Sequence, residues 1–73
     1  MVKQGATISQ GKINLNTATV DELQQLNGIG LKKAQAIIDY RVKQGKFKNI
    51  EELNNVKGIG PKLFEKNKNL IRV

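Results

Sequence analysis

The chain has 73 residues, enough for one small domain. It contains neither Cys nor His, which excludes disulfides and thiolate metal sites and removes the commonest general base and the commonest metal ligand. Neither a cofactor nor a small-molecule substrate is expected. Lys and Arg number 13 against 6 Asp and Glu, and the net charge of +7 favours a polyanionic partner, nucleic acid or an acidic membrane surface.

Residues 1–12 are polar and aperiodic, with glycines at Gly5 and Gly11, and read as a flexible lead-in to an ordered domain over residues 13–73. Met1 to Gly5 lacks the apolar core of a signal peptide, and no apolar run approaches the roughly 20 residues that span a bilayer. Ile13 and Leu15 alternate with Asn14 and Asn16, and Ile71 and Val73 flank Arg72, so both ends are expected to run extended over the core. Thr19 followed by Glu22 is a capping box that starts a first helix over about Val20 to Leu26. After Gly28-Ile29-Gly30 a second, longer helix is expected from Leu31 to Gln44, with Ala34, Ile37, Ile38 and Val42 at helical spacing and Gly45 to end it. Lys46 to Lys48 form a connection, with Phe47 anchoring it in the core.

The same punctuation then repeats at an offset of 30: Val20 to Lys32 aligns with Ile50 to Lys62, and six of these 13 pairs are identical. A repeat in so short a chain indicates two copies of one supersecondary unit packed together. Asn49 and Glu52 match Thr19 and Glu22, giving a third helix over about Ile50 to Val56. Gly58-Ile59-Gly60 follows, and Pro61 suits the first position of a fourth helix, where no N–H partner is lost. The expected core is Leu23, Leu26, Ile29, Ala34, Ile37, Ile38, Phe47, Ile50, Leu53, Val56, Ile59, Leu63 and Phe64. The fold class is all-α: four short helices in two pairs related by a pseudo-twofold.

Short helix, Gly-Ile-Gly hairpin, second helix: residues 13–73 resemble the tandem helix-hairpin-helix arrangement of many DNA-handling proteins. Ile13-Asn14-Leu15-Asn16-Thr17-Ala18, Ala36-Ile37-Ile38-Asp39-Tyr40-Arg41 and Gly45-Lys46-Phe47 are similar to segments of the competence protein ComEA family. Members of that family are double-stranded DNA receptors for natural transformation, acting outside the cytoplasmic membrane. The resemblance implies double-stranded DNA as the partner, a role in DNA uptake with other uptake machinery, and an extracytoplasmic location, periplasmic or on the outer face of the cytoplasmic membrane; sequence-independent binding is expected because contacts to the DNA backbone carry no base information. Membrane contact would come only through segments outside this chain. One departure is Asn67, which stands where Ile37 stands in the first copy; a shorter or looser fourth helix is expected, with Leu70 taking over the packing.

Free N–H groups at a helix start form an anion site, and missing Cβ atoms let a phosphate oxygen approach the backbone. The expected donors are the amides of Gly28, Gly30 and Leu31 in the first copy and of Gly58 and Gly60 in the second, where Pro61 has no N–H. Lys32, Lys33 and Lys62 occupy first helical turns, where a cation opposes the helix dipole, which points to pairing with phosphate. The candidate site is Asn27, Gly28, Ile29, Gly30, Leu31, Lys32 and Lys33 with Lys57, Gly58, Ile59, Gly60 and Lys62; within it Ile29 and Ile59 are read as core plugs, not DNA wedges. The first hairpin, with more amides and lysines, is expected to carry more of the affinity. Asp21, Glu22, Glu51 and Glu52 are helix caps, so no catalytic carboxylate pair is indicated and an enzyme is not expected. The other readings are an accessory module of a larger DNA-repair nuclease or ligase, and a protein-docking module such as similar folds provide in photosynthetic extrinsic subunits.

Overall fold

A computed structural model describes residues 11–73. The expected lead-in falls almost wholly on residues 1–10 and lies outside the described residues. The elements are β1 (Ile13–Asn14), α1 (Val20–Leu23), α2 (Leu31–Gln44), a 3-10 helix (Ile50–Asn55), α3 (Pro61–Asn67), a 3-10 turn (Lys68–Leu70) and β2 (Ile71–Arg72). The fold is helical, and its sheet is one parallel pair, β1 beside β2, with Ile13 opposite Ile71. The two ends thus run extended together: Leu15 N–H donates to Arg72 C=O at 2.8 Å, and Ile13, Leu15 and Ile71 are buried.

The start of α1 has the full capping box, with Glu22 N–H donating to Thr19 Oγ1 at 3.1 Å and Thr19 N–H to Glu22 Oε1 at 2.9 Å. Asn49 caps the third helix through Glu52 N–H at 3.2 Å. Both helices are wound more tightly than expected. α1 ends at Leu23, with Gln25 and Leu26 N–H groups donating three residues back, and the third helix is 3-10 throughout and ends at Asn55. A 3-10 turn stacks residues i and i+3, which turns Leu23 with Leu26, and Leu53 with Val56, into the core, and all four are buried. α2 spans the expected residues and stops at Gly45, whose φ of 91° is open to glycine at little cost.

The core is made by Ile13, Leu15, Ala18, Leu23, Leu26, Ile29, Ala34, Ile37, Phe47, Leu53, Val56, Ile59, Phe64 and Ile71. Ile38, Ile50 and Leu63, expected in the core, pack against it half-buried, and Val42 is 74% exposed near the free end of α2. The fourth helix is shorter than α2, as expected, with 7 residues against 14 and a 3-10 turn after it. The packing differs from expectation: Asn67 is itself fully buried, and Leu70 stays 43% exposed instead of taking its place.

The segments that carry the narrower resemblance prove to be architectural. Asn16 clips the inter-repeat loop at both ends of one residue: Phe47 N–H donates to its Oδ1 at 2.6 Å, and its Nδ2 donates to Phe47 C=O at 3.1 Å. Arg41 reaches from α2 to Leu15 C=O at 3.0 Å, and Tyr40 stacks on Phe47 with ring centroids 5.0 Å apart. Replacing Asn16 by Ala strands both Phe47 backbone groups, so Asn16→Ala is expected to lower stability by about 1–3 kcal/mol, and a thermal melt to show a fall of roughly 4–8 °C for each of those kcal/mol. Asn16 is remote from the hairpins in sequence, so the folded variant should keep its ligand affinity.

Candidate nucleic-acid interface

Each hairpin turns at its first glycine. Gly28 and Gly58 have φ of 74° and 92°, left-handed values that a side chain disfavours. Ile29 and Ile59 follow, each closing the turn by an N–H bond to Leu26 or Val56 C=O at 3.3 and 3.0 Å. Both isoleucine side chains are buried, so only their backbones face the hairpin surface. The second glycines, Gly30 and Gly60, cap α2 and α3 in extended backbone and supply no side-chain cap bond.

These second glycines are the more informative. Their φ values, −92° and −111°, suit any residue, and a Cβ on either would meet nothing within 4 Å. Ser, Thr, Asp or Asn at this position would stabilise the helix start. Neither backbone strain nor internal crowding accounts for glycine, and what remains is open space before amides that no side chain satisfies.

The two hairpins seat one another reciprocally. A Cβ on Gly28 would lie 2.7 Å from Leu63 Cδ1, and one on Gly58 would lie 3.8 Å from Lys33 Cγ. Leu63 and Lys33 are equivalent under the repeat offset, so each turn rests on the matching position of the other unit's second helix. This is the pseudo-twofold in atomic terms, and it brings both turns together. It also redistributes charge: the Lys33 stem lies along the second turn, although sequence assigned it to the first. Lys62 and Lys66 border an open groove with Gly58, Gly60, Pro61 and Leu63. Lys66, which is not among the candidate residues named from sequence, therefore joins this surface; its spacing of one helical turn from Lys62 was the available signal.

Asn27, Leu31, Lys32, Lys57 and Lys62 are exposed and Lys33 is half-buried, with Leu31 at 61%. No acidic residue occupies the first turn of α2 or α3. Among the described residues the ion pair is Lys68 with Glu65, at 3.0 Å, so the hairpin lysines have no carboxylate partner. No group of His, Cys, Asp and Glu among the described residues is arranged to hold a metal ion, and no helix there is long and apolar enough to cross a membrane.

Residues 8–72 match the helix-hairpin-helix motif family. The chain belongs to the helix-hairpin-helix family. This helix-hairpin-helix chain is 52% identical over 61 residues to ComE operon protein 1 of Bacillus subtilis, covering 84% of the chain and 30% of that protein. It is 54% identical over 61 residues to an uncharacterized protein of Haemophilus influenzae, covering 82% of the chain and 54% of the relative. It is also 43% identical over 58 residues to endonuclease/exonuclease/phosphatase family domain-containing protein 1 of Xenopus laevis, covering 80% of the chain and 10% of the relative. The helix-hairpin-helix chain thus spans between a tenth and about half of the length of these proteins.

Proposed function

We propose that the chain binds double-stranded DNA without reading its sequence, as a receptor in DNA uptake on the outer side of the cytoplasmic membrane. The observation that carries the binding is the pair of cap glycines: Gly30 and Gly60 have unstrained backbone and empty space where a side chain would help the helix. A phosphate oxygen fits that space, accepting from the amides of Gly28, Gly30 and Leu31 at one turn and Gly58 and Gly60 at the other. Lys32, Lys33, Lys57 and Lys62 supply the neutralising charge. Two turns in a pseudo-twofold relation suit the two strands of a duplex. Phosphate contacts carry no base information, hence the lack of sequence preference. The chain is read as a binding module, not an enzyme.

The uptake role and location draw support from the ComEA resemblance and from the identity to ComE operon protein 1. The Xenopus laevis relative favours a second reading, a nucleic-acid-anchoring module within a larger nuclease-family protein. Both readings share the phosphate grip, which one titration tests. With roughly 4 to 6 phosphates neutralised, log K against log salt falls with a slope of about −4 to −5. Between 50 and 200 mM salt, affinity for random-sequence duplex is therefore expected to drop roughly 250- to 1000-fold. A slope near zero, measured by fluorescence anisotropy, sinks the grip and favours protein docking.

A further inference from the structure

Asn67 has 0% exposure, and its side chain is fully bonded: Asn27 N–H donates to Oδ1 at 2.8 Å, and Nδ2 donates to Asn27 C=O at 2.9 Å and Leu63 C=O at 3.0 Å. Core packing does not require an amide here. Its repeat equivalent, Ile37, is equally buried and apolar, and a buried amide is unfavourable unless its bonds are met.

What the amide adds is a grip on both backbone groups of the residue before Gly28. The Asn27 carbonyl shares a planar trans peptide with the Gly28 N–H, and the two point in opposite directions. Holding the carbonyl inward at Asn67 therefore holds the Gly28 N–H outward. Ile37 has no polar atom and gives Lys57 no such grip, so the orientation of the Gly58 amide is not set this way. The same face of α3 also supplies Leu63, against which Gly28 rests.

We propose that Asn67, from the second repeat, is a positioning residue for the first hairpin: it pre-aims the Gly28 amide at the phosphate. This rests on the hairpins being phosphate sites. Asn67→Ile, the residue of the equivalent position, is expected to weaken duplex binding roughly 3- to 10-fold, the equilibrium equivalent of one hydrogen bond's net contribution. Double-variant cycles locate the effect. With Gly60→Asp, where the first hairpin bears the binding, Asn67→Ile keeps its full effect; with Gly30→Asp, which already disables that hairpin, the effect vanishes. An equal effect in both backgrounds means a general structural role and overturns the proposal. Amide exchange on the wild-type chain needs no variant to fold: Asn27 N–H should exchange at least about tenfold more slowly than Lys57 N–H, and equal rates overturn the grip. A folded wild type that fails to bind duplex refutes the phosphate reading and the proposal with it, whereas binding with additive cycles refutes only the role of Asn67.

Discussion

A chain carrying both Gly30→Asp and Gly60→Asp is expected to fold with at least wild-type stability and to lose duplex binding. Both positions have ordinary negative φ and nothing within 4 Å of a Cβ. Gly60 also lies in the extended conformation favoured before Pro61. Asp is a strong N-cap residue and gains a few tenths of a kcal/mol over Gly there. Its charge also suits the positive end of the helix. The same carboxylates would stand where phosphate oxygens are proposed to sit. Like charges in close apposition cost several kcal/mol, which is about 100-fold or more in affinity. Anisotropy with random duplex and a thermal melt on the same samples check both halves. The serine pair, Gly30→Ser with Gly60→Ser, caps without charge and should lose far less. Wild-type affinity in the folded aspartate pair would remove the hairpins from the binding surface. Gly28 and Gly58 are poorer test positions, because their positive φ, and Leu63 beside Gly28, confound binding with folding.

The largest expected effect on stability is in the repeat-related pair Leu23 and Leu53, which are 0% and 1% exposed. Either leucine to alanine leaves a cavity that the tight 3-10 winding around it cannot readily close. The loss is about 2–5 kcal/mol, comparable with the whole stability of a domain this small. A melting temperature lower by roughly 10–30 °C is expected for each single variant, and the two together should not fold. A loss below about 1 kcal/mol in urea unfolding would mean that the short helices are not held by these contacts.

Much of the fold was legible because it is written in local spacing. The offset of 30, the Thr19–Glu22 box, Gly45 at the end of α2 and Pro61 at the start of α3 each act within a few residues of chain. The winding of the first and third helices was not legible, since a short window reads the same apolar pairs as α or 3-10. The glycines of the candidate site could be named but not told apart. Which glycine the turn needs, and which stands before open space, depends on φ and on neighbours from the other repeat.

By itself, then, the sequence determined a basic chain of two equivalent helix-hairpin-helix units, because capping, turn chemistry and helical periodicity are local properties. The sequence also marked the units as unequal, at Leu31 against Pro61 and at Ile37 against Asn67, but tertiary structure decided how those differences act. It set Leu63 against the first turn and Lys33 against the second, and it made Asn67 a buried clamp on Asn27, 40 residues away. A polar residue among apolar neighbours looks like a weakness in any local window. Only when a distant backbone offers both its N–H and its C=O does the same residue become fully satisfied.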